Sequence, residues 1–120
     1  MQHSELMTVE STVFLCRPGL QMLVLTPCLK VPVDRGLQGL VQRQEQVTVV
    51  RPDGSSIAAT AQINRIHVNI ADPHAPIEDR WPIMVWLTDR TEDEVPVGSK
   101  ILVDPAVRGA ILGEDASGCR

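Results

Sequence analysis

Apolar and polar residues alternate with a period of two along most of this 120-residue chain, and that alternation limits its fold more than any other feature. Successive side chains of a strand point to opposite faces, so period two marks strands that bury one face. Val47 and Val49 alternate with Gln46 and Thr48, Ile57, Ala59, Ala61 and Ile63 share one parity, and Ile83, Val85 and Leu87 alternate with Met84 and Trp86. No stretch sustains helical spacing for more than about two turns. Turn residues punctuate the pattern at Pro18-Gly19, Asp34-Arg35-Gly36, Arg51-Pro52-Asp53-Gly54, Val97-Gly98 and Asp104-Pro105. Short strands separated by such turns predict an all-β chain, a single small closed antiparallel barrel of about six to seven strands with Greek-key-like connections. The barrel domain is expected over residues 1–112, with a flexible C-terminal tail over 113–120.

Individual segments carry sharper expectations. Val9, Val13 and Leu15 lie on one parity of a first strand that ends at Pro18-Gly19. The segment from Leu20 to Val33 contains Pro27, which removes a ladder donor, and it reads as two half-strands meeting at a bend. Arg51-Pro52-Asp53-Gly54 joins two alternating segments and predicts a hairpin. After Ile63 the apolar parity changes to Ile66, Val68 and Ile70, which predicts a bulge or sharp bend near Asn64-Arg65. Asp72 to Pro82, with three prolines and several charges, reads as a loop, and loops of this length in a compact domain are often functional. Lys100 to Val103 reads as the last strand, ended by Asp104-Pro105.

Composition then removes several function classes. Apolar residues make up 43% of the chain, too many for a disordered protein, while the longest apolar runs, such as Ile83 to Leu87, are far shorter than a membrane span. No membrane partner is expected. Aromatic residues are 2%, so base-stacking platforms are not available. The formal net charge is -4, Lys30 and Lys100 are the only lysines, and the arginines are scattered; nucleic acid is therefore an unfavoured partner. Cys16, Cys28 and Cys119 form no close pair and no signal segment opens the chain, which fits a reducing cytoplasm.

From Val31 to Pro105 the order of elements resembles domain 2 of the translational GTPases of the elongation factor Tu type. The resemblance rests on Val33-Asp34-Arg35-Gly36, the strand Gln46-Val47-Thr48-Val49-Val50, the strand around Ala61-Gln62-Ile63-Asn64, and the closing Val95-Pro96-Val97-Gly98-Ser99-Lys100-Ile101-Leu102-Val103. It implies the β-barrel of that family as a stand-alone domain. The chain has no Gly-x-x-x-x-Gly-Lys-Ser/Thr loop, so the resemblance brings no nucleotide binding or GTP hydrolysis. Asn64 stands where the family carries an acidic residue that helps hold transfer RNA, and Trp81-Pro82 stands where it commonly has a small residue.

Candidate chemical groups are few. His67, Asp72 and His74 lack a recognised metal-ligand spacing, and Ser55 or Ser56 with Asp53 and a histidine lacks a nucleophile elbow. No catalytic residue, cofactor site or metal site is expected, and the chain reads as a non-enzyme. The acidic run Asp89 to Glu94 reads as a solvated turn able to steer a basic partner. Trp81, Met84 and Trp86, with His74, Asp79 and Arg80 from the preceding loop, form the expected partner-binding face. Met84 and Trp86 face outward if Ile83, Val85 and Leu87 line the barrel; they either meet a partner or lie under the N-terminal strand or the segment around Ile111-Leu112. The expected function is a protein-interaction module, of the kind that acts as an inhibitor or immunity protein against one protein partner. An accessory translation or RNA-binding factor is the alternative.

Overall fold

In the computed structural model, residues 4–30 and 43–112 are described. Seven strands form one antiparallel sheet: β1 (Ser4–Thr8), β2 (Ser11–Arg17), β3 (Leu20–Leu29), β4 (Arg43–Val50), β5 (Ser56–Arg65), β6 (Ile83–Leu87) and β7 (Lys100–Val103). Two helices, α1 (Ile77–Arg80) and α2 (Pro105–Leu112), and a 3-10 turn at Glu92–Glu94 complete the described chain. The strand order is β1-β7-β4-β5-β6-β3-β2.

That order forces curvature. A flat sheet of seven strands at about 4.8 Å spacing would hold its edges roughly 29 Å apart. Yet β1 and β2, the two edges, are separated in sequence by Val9 and Glu10 alone, a link that reaches about 10 Å at most. The sheet therefore curls into a half-barrel, with the core inside the curl. Leu23, Leu25, Val49, Ala61, Ile63, Ile83, Val85, Leu87, Ile101 and Val103 line it, each essentially closed to solvent. Aliphatic side chains build this core, as the scarcity of aromatics requires.

The expected inward faces of β4, β5 and β6 are borne out except at Ile57, which is half-buried. Val47 and Val49, Ala59, Ala61 and Ile63, and Ile83, Val85 and Leu87 are all buried. The hairpin at Arg51–Gly54 is present. The Gly54 amide donates to the Arg51 carbonyl at 2.9 Å, the Asp53 carboxylate accepts from the Ser55 amide at 2.9 Å, and Gly54 takes φ of +91° where a side chain would be strained. Lys100–Val103 is a strand, and Asp104-Pro105 ends it by starting α2, with Asp104 Oδ1 accepting from the Ala106 amide.

Four expectations are corrected. The first strand is two: the chain changes partner at Val9-Glu10, where the Val9 amide donates to the Ser99 carbonyl and the Glu10 amide to the Thr26 carbonyl. Val9 is buried whereas Val13 and Leu15 are 50% and 45% exposed, so shared parity did not mean a shared face. The segment after Leu20 is one strand to Leu29, although its ladder to β6 shifts register between Leu25 and Leu29, around Pro27. No bulge interrupts β5 at Asn64-Arg65: its register with β6 is constant from Ala61↔Leu87 to Arg65↔Ile83, and the Ile66 and Val68 amides carry it onward to the carbonyls of Pro82 and Arg80. The expected turn at Asp34-Arg35-Gly36 and the expected tail over 113–120 lie outside the described residues.

Candidate functional site

The rim that follows β5 holds most of the expected partner-binding residues. Because the β5–β6 register continues past Arg65, His67 comes opposite Trp81, and their rings stack at a tilt with centroids 4.7 Å apart. Arg65, on the same face, is 3% exposed and donates from Nη1 to the Trp81 carbonyl at 2.8 Å. Burial draws its pKa below the usual guanidinium value. Arg80 donates from Nη2 to the Asp72 carbonyl at 2.6 Å, Asp72 Oδ1 accepts from the His74 amide, and Lys30 pairs with Asp79 at 3.1 Å. Arg80 and Asp79 thus fasten the loop to itself and to the end of β3, while His74 is exposed. Among the described residues no group of three His, Cys, Asp or Glu side chains is arranged to hold a metal ion.

Met84 and Trp86 lie on the outer side of β6, since Ile83, Val85 and Leu87 face the core. Trp86 is nevertheless only 8% exposed. Its cross-strand neighbours are Val24 on β3 and Gln62 on β5, and Met84 sits opposite Asn64. The carbonyl oxygens of the Gln62 and Asn64 side chains are shut from solvent without a hydrogen-bond partner. This part of the outer surface is covered within the chain itself. The segment around Ile111-Leu112 packs elsewhere: α2 lies against β1, Ile111 is fully buried in the core, and Arg108 Nε donates to the Glu5 carbonyl at 2.8 Å.

The open apolar surface is the β2–β3 hairpin, which sequence reasoning missed. Its strands pair without interruption from Ser11↔Thr26 to Arg17↔Leu20. Phe14 packs against the core from the inner side, which sends Val13, Leu15 and Arg17 outward together with Leu20, Met22 and Val24. Val13, Leu15 and Leu20 are 50%, 45% and 48% exposed. Val13 pairs with Val24 and Leu15 with Met22, so the outer face of the hairpin is an apolar strip broken by Arg17. The signal was in the sequence: in Val13 to Leu15 both parities are apolar, which a strand with one wet face does not need.

At the other end of β6 the acidic run is a stitched turn. Asp89 accepts from the Thr60 amide, Arg90 donates to the Ala58 carbonyl through Nε at 2.9 Å and Nη2 at 2.6 Å, and Glu94 accepts from Arg90 Nη1 and the Thr91 amide, both at 2.9 Å. These bonds hold the Glu94 carboxyl below its usual range, the Thr91 amide contributing most and Arg90 next. Thr91 and Glu94 form a capping box on the 3-10 turn. Three of the five charges in this run, Asp89, Arg90 and Glu94, therefore serve the loop rather than a partner. No described helix is long and apolar enough to cross a membrane. No known protein family, curated protein or solved structure matches the chain.

Proposed function

We propose that the protein is a non-enzymatic protein-interaction module, built on a barrel of the elongation factor Tu domain 2 type that closes at the Val9-Glu10 junction and leaves β2 an edge beyond it, which engages a protein through the outer face of the β2–β3 hairpin. One observation carries this reading: Val13, Leu15 and Leu20, half exposed, lie together on a regular hairpin, whereas Trp86 is covered. The closed barrel is favoured by the junction at Val9-Glu10. There the chain leaves the β7 ladder, through Val9 with Gly98 and Ser99, and enters the β3 ladder, through Glu10 with Thr26. Greek-key character is favoured by two connections that skip neighbours, β3 to β4 past β6 and β5, and β6 to β7 past β5 and β4. The partner surface moves from the Trp81 to Trp86 strand to the hairpin, because a side chain 8% exposed offers a partner little area.

The test compares affinity capture by the wild-type chain and by Leu15→Lys and Trp86→Phe variants, each first checked for an unchanged near-ultraviolet spectrum. A protein retained by wild type and Trp86→Phe, resistant to nuclease and lost with Leu15→Lys, is the expected result. Recovery of RNA or ribosomes that nuclease abolishes, unaffected by Leu15→Lys, overturns this reading in favour of an RNA-binding or accessory translation factor.

A further inference from the structure

We propose that the partner of the β2–β3 hairpin is a second copy of this chain, added by antiparallel pairing of β2 with β2 about Phe14. The inference rests on the reading of the hairpin as an interaction surface and specifies its occupant. Among the described residues β2 is an edge strand, its ladder formed with β3 alone. An edge strand presents a row of backbone donors and acceptors on its open side, and folded proteins ordinarily blunt such a row with a bulge, a proline, a lysine or a covering element. Ser11–Arg17 has seven residues in unbroken register with β3 and contains neither proline nor lysine. The 3-10 turn Glu92–Glu94 approaches β2, and Gln21 Nε2 donates to the Arg90 carbonyl beside it, but no described backbone hydrogen bond joins that turn to β2.

The side chains of β2 are self-complementary in one register. A two-fold axis perpendicular to the sheet keeps outer faces together, so residues that meet must share parity. Centring the axis on Phe14 sets Val13 opposite Leu15 of the second copy, and Leu15 opposite its Val13, joining the two exposed apolar strips into one. On the inner side Phe14 meets Phe14 and Thr12 meets Cys16. Arg17 meets Ser11 of the second copy, one residue from its Glu10, so the one positive charge of each strand ends beside a negative charge and no like charges face each other. Moving the axis to Val13 would instead set Leu15 against Ser11, and moving it to Leu15 would set Val13 against Arg17.

Sedimentation velocity over a concentration series from about 5 to about 500 µM tests the proposal. Wild type is expected to pass from monomer to dimer within that range. Val13→Lys and Leu15→Glu, each placing two charges against apolar neighbours, are expected to raise the dissociation constant at least about tenfold when studied alone. Mixed with each other they are expected to recover a heterodimer, since Lys and Glu then face one another in the proposed register while Leu15 of one meets Val13 of the other. A wild-type chain that stays monomeric throughout, a dimer indifferent to both substitutions, or a mixture that fails to re-associate overturns the proposal. If the chain stays monomeric while capture of another protein remains sensitive to Leu15→Lys, self-pairing fails and the interaction reading stands; if neither occurs, both fail.

Discussion

The two edges of the sheet are managed in opposite ways, although the chain passes from one to the other in two residues. β1 is short and bulged: Glu5 pairs with Leu102 and Met7 with Ile101, which leaves Leu6 as the extra residue. The bulge lets the consecutive side chains Leu6 and Met7 both reach the core, at 6% and 5% exposure. α2 covers this edge, with Ile111 in the core and Arg108 bonded to the Glu5 carbonyl. β2 is longer, regular and apolar on its outer face; the 3-10 turn Glu92–Glu94 approaches it, but no described backbone hydrogen bond joins the two. A fold able to bulge and cover one edge has the means to do the same at the other. The difference locates the surface that is left for a partner.

Removing the cover from β1 should have the largest effect. Ile111→Ala deletes a fully buried side chain where α2 meets the core, and urea unfolding should show a loss of about 2–5 kcal/mol. A loss below about 1 kcal/mol would mean that α2 is not what protects that edge.

Next comes the tie between β1 and the start of β7. Gly98 donates its amide to the Val9 carbonyl at 2.8 Å with φ of +94°, and a Cβ there would stand 3.2 Å from Pro52 Cγ. Gly98→Ala should therefore cost about 1–3 kcal/mol in thermal or urea unfolding. An unchanged midpoint would show that this end of β1 is loosely held.

Leu15→Lys should behave in the opposite manner. Its side chain faces solvent, so stability should change by no more than about 0.5 kcal/mol while association weakens. A large loss of stability would place Leu15 in the packing of the monomer and remove the contrast between the edges.

The smallest effect is expected at the turn beside β2. The folded Glu94 carboxyl titrates below its ordinary value, so its contribution is present at neutral pH and fades as pH falls through that lowered value. The gap in unfolding midpoint between wild type and Glu94→Gln should be constant near neutrality and close in acid. A gap that widened on acidification would contradict the assigned bonds to Thr91 and Arg90.

Particular residues show why some of this was legible in the sequence. Where a strand keeps one face on the core throughout, parity alone located the buried side chains, as with Val47 and Val49 or Ile83, Val85 and Leu87. The Pro52-Gly54 turn was equally plain because its backbone angles demand those residues. Parity failed where the chain changes partner: Val9, Val13 and Leu15 look like one face, but the junction at Val9-Glu10 separates them into core and surface. It failed again at Arg65, a charged residue on the core-facing parity of β5, where continued strand pairing looked like a break. β1 escaped notice because its bulge destroys alternation. Met84 and Trp86 do face outward, but facing outward from a curled sheet is not exposure, and the cover over Trp86 depends on tertiary packing that no local pattern encodes.

Amide hydrogen exchange across β1 and β2, measured at about 5 and about 500 µM, tests the central contrast most directly. The account predicts that alternate β2 amides, those directed away from β3, exchange rapidly in dilute solution and become protected at the higher concentration, while the β1 amides bonded to β7 and the Trp86 amide are protected equally at both. Open-side β2 amides already protected in the dilute sample would contradict it, because the edge would then be closed within the monomer. Rapid exchange of those amides that concentration leaves unchanged would contradict the pairing of two copies through that edge.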